Sequence, residues 1–310
     1  MQRPVDLDIR IVKELTSPSS FRWDIRESYR TIAAKIGVDE ETVRRRINRA
    51  RESGFLKGWQ VVLNPHVIGL ESAGAQLTVD KEERKSSVIS QIEQLEGVVI
   101  VINFHGKGLR VVFYHKDEQD LNDKIQKFKL VCQSKQAIVW KGGFPPSSRA
   151  LKGTDWQIVR ALRKDPRRSA SEIATEVAVS TRTVKRRLTA LTKGMAFYLL
   201  PMLDYDKYPG VACDFLIFCP DPAKKAEVDN LMRVKTDRLV FSFIDAKGFS
   251  IDAMLCLNIS EAEDIHNWLK GLDGVEKVTM DTMRSNTVVR RWLDEEIEKH
   301  LPKRTINIVT

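Results

Sequence analysis

Apolar residues recur along this chain with two different periods, and the periods alternate. In the first sixty residues they fall three to four apart. Leu7, Ile11 and Leu15 share one helix face, Ile32, Ala33 and Ile36 a second, and Val43, Ile47 and Ala50 a third. Gly37 suits the left-handed end of the second helix, Asp39 can cap the third, and Gly54 stops it. The spacing predicts helices over about 7–15, 29–36 and 40–52. From Ser72 the pattern changes. SAGAQLTV, VVIVINF, LRVVFYH and QAIVW read as strands, while KSSVISQIEQL and DEQDLNDKIQKFKLV read as helices, in the order βαββαβ.

The same succession then occurs again. TVRRRINRARESGFLKGW from Thr42 corresponds to TVKRRLTALTKGMAFYLL from Thr183, an offset of 141 residues. DIRIVKEL from Asp8 corresponds to DWQIVRAL from Asp155 at an offset of 147, so the first copy holds six extra residues around SSFRWDIRES. In the second copy Ala178 stands where Gly37 stood, and Ser180 is the cap. A tandem duplication of a two-part unit follows. The expected fold class is α+β: two helix-turn-helix, winged-helix-like domains alternating with two ferredoxin-like βαββαβ domains. The boundaries fall at 1–64, 65–144, 150–204 and 205–284, with GGFPPSSRALKG as linker and an amphipathic helix and tail over 285–310. In that last helix Val289, Trp292, Leu293 and Ile297 line one side and are expected to dock on the body of the chain.

Charge sharpens the picture because it is unevenly placed. Of the net +9, residues 1–60 contribute +4, 61–144 contribute +1, 145–200 contribute +8 and 201–310 contribute −4. Two basic modules on near-neutral or acidic bodies produce this alternation; evenly spread lysine does not. No apolar run approaches the length of a membrane span, and the N-terminus has no apolar core for export, so a cytoplasmic protein is expected. Cys132, Cys213, Cys219 and Cys256 form no close pair and no histidine sits at zinc-ligand spacing, so buried free thiols are expected and no metal or cofactor.

The basic residues concentrate on one helix face in each copy. At 100° per residue, Arg44, Arg45, Asn48 and Arg49 lie opposite the apolar stripe of the first copy. Arg182, Lys185, Arg186 and Thr189 do so in the second. Arg46 and Arg187 fall beside the stripe and are expected to pack or to pair with acids. Glu40 and Glu41 open the first of these helices where Thr181 and Arg182 open the second, so the second face should bind an anion more strongly.

A basic helix-turn-helix followed by a βαββαβ domain resembles the Lrp/AsnC (feast/famine) family of transcription regulators. The closest local match is TVRRRINRARESGFLKGWQVVLNP, similar to that family's recognition helix, glycine stop, small hairpin and lead into the sheet. The resemblance implies a double-stranded DNA partner and pairing of the sheet domains, here within one chain as a pseudo-dimer, with homodimers or higher assemblies also possible. It implies an amino-acid effector site at the turn between the second and third strands, which here holds Gly106 and Gly108 in one copy and Lys247 and Gly248 in the other; those turns depart from the family's motif, and a plain turn is the favoured reading. A catalytic branch resembling this family, the siroheme decarboxylases, uses the same architecture with histidine, arginine and tyrosine around a tetrapyrrole. His105 and His115 lie near that position, but the second copy has no counterpart, so a non-enzyme is expected. A low-specificity architectural DNA-binding protein is the third reading. Phe21 and Trp23, beside Arg22 and Arg26, are expected to pack on their own domain.

Overall fold

The computed structural model describes residues 4–16, 28–142, 144–147, 150–235, 237–244 and 248–301. The segment around Phe21–Arg26, Lys247 with its turn, and the tail after Leu301 lie outside them. Three helices open the chain: α1 (Pro4–Thr16), α2 (Tyr29–Ile36) and α3 (Glu40–Glu52). Strand β1 (Leu56–Leu63) leads to β2 (Glu71–Thr78), α4 (Lys85–Ile92), β3 (Val98–Phe104), β4 (Gly108–His115), α5 (Glu118–Cys132) and β5 (Ile138–Lys141). The succession repeats as α6 (Gly153–Lys164), α7 (Ala170–Val177), α8 (Thr181–Lys193) and β6 (Phe197–Leu203). There follow β7 (Val211–Phe218), α9 (Pro222–Lys235), β8 (Leu239–Ile244), β9 (Phe249–Cys256), α10 (Ile259–Lys270), β10 (Lys277–Val288) and α11 (Arg290–His300).

Each half forms an antiparallel four-stranded sheet, and the two join edge to edge in the order β5-β2-β4-β3-β10-β7-β9-β8. The join is made by β10, which is longer than its sequence pattern suggested. Lys277–Thr282 pair with β7 of the same half, and Met283–Val288 continue onto β3 of the other half. Helices cover one face of each sheet, where Phe113, Phe128 and Val88 fill one core and Phe215, Val228 and Leu269 another. The opposite faces turn toward each other. Arg110 on β4 forms a bidentate ion pair with Asp214 on β7, at 2.9 and 2.5 Å, with both side chains almost fully buried. Trp140 on β5 packs against Phe249 on β9. Gly74 makes room for it: a Cβ there would stand 2.2 Å from the indole.

One expectation fails. The strand that follows each helix-turn-helix does not fold into a hairpin wing. Instead β1 and β6 pair antiparallel with each other, from Leu56 against Leu203 to Leu63 against Phe197. Apart from Lys57 and Gln60, both strands are apolar on both faces, so a local hairpin would leave much of them in water; pairing across the two halves buries most of both. This ribbon lies in the largest core cluster, which unites both helical heads, the ribbon, the inner sheet faces and α11. Described residues of the linker pack against the body of the chain. Phe144 packs on Tyr114 and Tyr198, and the buried Asn64 amide donates to the carbonyls of Pro145 and Met195.

Helix α11 docks on its own chain, as its amphipathic pattern predicts. Trp292 meets the buried Tyr114 ring edge-on at 4.9 Å, His300 stacks on Trp156 at 4.4 Å, and Asp294 pairs with Arg163. All four cysteines are free and buried.

Candidate nucleic-acid interface

Helices α3 and α8 are built alike. Asp39 accepts from the Thr42 amide at 2.7 Å, and Ser180 accepts from the Thr183 amide at 3.1 Å, each satisfying an otherwise open donor of the first turn. The turns before them also match. Gly37 ends α2 at φ 71°, and Ala178 ends α7 at φ 58° with its N–H on Ala174. Alanine bears the left-handed strain that glycine avoids, so the turn survives the substitution at some cost. Val43 and Ile47 in one copy, and Val184, Leu188 and Leu191 in the other, hold each helix against its head.

The remaining faces are exposed. Arg44, Arg45, Asn48 and Arg49 all face water on α3, as do Arg182, Lys185, Arg186 and Thr189 on α8. Their flanking arginines behave differently and identically. Arg46 reaches Asp8 on α1 at 3.4 Å, and Arg187 reaches Asp155 on α6 at 3.4 Å. These pairs link the outer helix of each head to its first helix, and the duplication has preserved them.

The two faces differ in how much charge is free. Arg44 bonds Glu40 at 2.7 Å and approaches Glu41 at 3.6 Å, so α3 neutralises part of its own cationic face. No acid lies in the first turn of α8, and among the described residues Arg182, Lys185 and Arg186 form no ion pair. The positive end of the α8 dipole adds to their field, whereas on α3 two carboxylates oppose it.

A second contact had no local signal in the sequence. Arg167, in the turn between α6 and α7, lies over the Tyr29 ring at 4.9 Å and over the Trp59 ring at 5.2 Å. Arg44 also covers Tyr29, and Arg51 covers Trp59. An arginine of the second head therefore bridges two aromatics of the first through cation–π contacts. Only the separate expectation that the halves pair would have suggested looking for it.

The other predicted site is less distinctive. Gly106, at φ 62°, and Gly108 shape the β3–β4 turn, where the buried Lys85 ammonium bonds the Phe104 and Gly106 carbonyls. Burial pushes that lysine down to about 8. Lys107 donates to the Asp80 carbonyl, and Gly248 packs close to the backbone of Cys219 and Pro220. The histidines are dispersed. His105 faces Asp206 at 3.1 Å, His115 is buried against the Asp117 carbonyl, His66 lies near Glu71, and His266 meets the Val278 carbonyl. Between the inner sheet faces is a cavity of about 150 Å³, lined by Arg110, Trp140, Tyr198 and Asn286 among others, and by none of the histidines.

Comparison with known proteins fits this geometry. The AsnC-type helix-turn-helix domain model matches residues 153–192, the whole of α6, α7 and nearly all of α8. The uncharacterized HTH-type transcriptional regulator PH0140 of Pyrococcus horikoshii is 31% identical over 124 residues, covering 37% of this chain and 77% of that protein. This chain belongs to the Lrp/AsnC family. A second relative, the HTH-type transcriptional regulator LrpA of Pyrococcus horikoshii, is 25% identical over 140 residues, covering 44% of this chain and 96% of that protein. One nearly whole relative thus occupies less than half of this Lrp/AsnC chain, as a doubled unit requires. The chain spans 59% of a further relative, the HTH-type transcriptional regulator Ptr1 of Methanocaldococcus jannaschii, at 26% identity over 93 residues, 30% of this chain. Among solved structures, the siroheme decarboxylase NirDL covers 94% of this chain and 99% of its own, with a TM-score of 0.54 at 14% identity. That likeness shows a shared fold. Among the described residues no helix is long and apolar enough to cross a membrane.

Proposed function

We propose that this Lrp/AsnC protein is a sequence-specific double-stranded DNA-binding transcription regulator that presents two recognition helices from one intrachain pseudo-dimer. The observation that carries the reading is the paired cationic faces of α3 and α8, held on heads that share one core. Phosphate contacts from lysine and arginine supply most of the affinity in this reading, and base edges in the major groove would be read by Arg182, Lys185, Arg186, Arg44, Arg45 or Asn48. Because α8 carries free cations and α3 partly paired ones, the second head dominates binding and the first tunes it. A footprinted genomic fragment, titrated by anisotropy, tests this. Arg182→Ala/Lys185→Ala/Arg186→Ala should weaken binding severely and lower the log–log salt slope by about 2–3. Arg44→Ala/Arg45→Ala should do less. Unchanged binding by the triple variant would refute the assignment.

The shared fold with a siroheme decarboxylase favours a second reading, a tetrapyrrole enzyme. The inter-sheet cavity weighs against it, since about 150 Å³ is well below the roughly 300–1,000 Å³ of ordinary cofactor pockets. A Soret band retained after gel filtration with an iron porphyrin would revive it.

A further inference from the structure

The first head stands over a pocket whose lining differs in sequence from the corresponding positions of the second head. Its volume is about 370 Å³, within the range that drug-sized ligands occupy, and its walls are mainly apolar. Ile11, Val12 and Leu15 of α1 form one wall, and Pro201 and Leu203 of the β6 strand form the other. Its charged residues are Arg46, Arg49 and Lys207 against one acid, Asp8, which pairs with Arg46 and also feels the charge of Arg49. Lys207 is exposed and makes no ion pair among the described residues.

The duplication shows what makes the pocket. The α1 wall is repeated in α6, where Ile158, Val159 and Leu162 replace Ile11, Val12 and Leu15. The floor is not repeated. At the offset of 141, Ala50 becomes Leu191, which is fully buried; Arg49 becomes Ala190; and Lys207 corresponds to His66. Ala50, Arg49 and Lys207 therefore have no like residue at the corresponding positions of the other copy. Leaving Ala where its counterpart has Leu forgoes packing that stabilises the second head.

The geometry points to a binding site for a small amphipathic carboxylate: an apolar tail between α1 and β6, and an anionic end at Arg49 and Lys207. Its walls come from the first head and from the second half of the chain, so an occupant fastens α1 and α3 to the segment 201–209. The inference does not depend on DNA recognition, although a fastened first head would present α3 differently.

Octanoate, with octanol as its neutral match, is the probe, titrated into the whole chain by calorimetry and followed by hydrogen exchange. Octanoate should bind saturably and more tightly than octanol, and should slow exchange in α1, α3 and residues 201–209. Lys207→Glu, at an exposed position, should weaken octanoate about fivefold or more and leave octanol unchanged. Ala50→Leu installs the residue the other copy uses; it should fold at least as stably and lose both ligands. Absence of saturable octanoate binding, or affinity unaltered in both variants, would overturn the site.

Discussion

Arg110 and Asp214 are the two charges this fold can least afford to separate. They meet across the inner sheet faces with almost no solvent, the Arg110 guanidinium lying over the Phe104 and Trp140 rings. Removing Arg110 leaves the Asp214 carboxylate buried without its cation, so Arg110→Ala should cost about 3–5 kcal/mol in urea unfolding, while an Arg110→Met/Asp214→Leu pair should recover most of it. Asp252 presents the opposite case. It is buried beneath α9, beside Asp229, and burial pushes its carboxyl up to about 7. Its folded form holds a proton that the unfolded chain releases near pH 4, so it favours folding fully below pH 4 and loses that contribution as pH rises toward 7. Asp252→Asn should therefore flatten the stability profile between about pH 4 and 7 and raise stability at pH 8, read from thermal melts. Helical geometry alone separated Arg46 and Arg187 from their exposed neighbours, because a residue 100° from its neighbour faces a different environment whatever the tertiary fold. It could not name Asp8 or Asp155 as their partners, since those contacts depend on how α1 and α6 cross.

At the scale of elements, the clearest test lies in the turn before α8. Ala178 holds a left-handed conformation for which the other copy uses Gly37. Ala178→Gly should stabilise the second head by up to about 1 kcal/mol, provided relief of strain exceeds the entropy glycine adds to the unfolded chain. A loss of stability would mean that the turn bears no strain. Helices and sheet strands were largely legible because their apolar periods are local. The partners of β1 and β6 were not: each strand is largely apolar on both faces, which announces burial without saying against what. The same limit applies to β10, whose final residues look like the approach to a helix but complete the sheet of the other half.

The whole molecule is organised by its internal duplication. One core joins both heads, one strand joins both sheets, and one arginine bridges the heads through Tyr29 and Trp59. If that bridge sets the spacing of α3 and α8, Tyr29→Ala should broaden the tolerance for altered half-site spacing while changing single half-site affinity little; an unaltered spacing preference would show the shared core alone to be sufficient. The charge blocks read from the sequence fall on this plan, with the +8 stretch forming the head whose outer helix carries no acids in its first turn.

The central claim is that two cationic helix faces grip one duplex, and its most direct test is the salt dependence of binding to a footprinted fragment, for the intact chain and for the Arg182/Lys185/Arg186 triple alanine. The account predicts tight binding at low salt, a steep log–log slope for the intact chain, and a slope shallower by about 2–3 with much lower affinity in the variant. Weak, salt-insensitive binding by the intact chain, or the same slope for both, would contradict it.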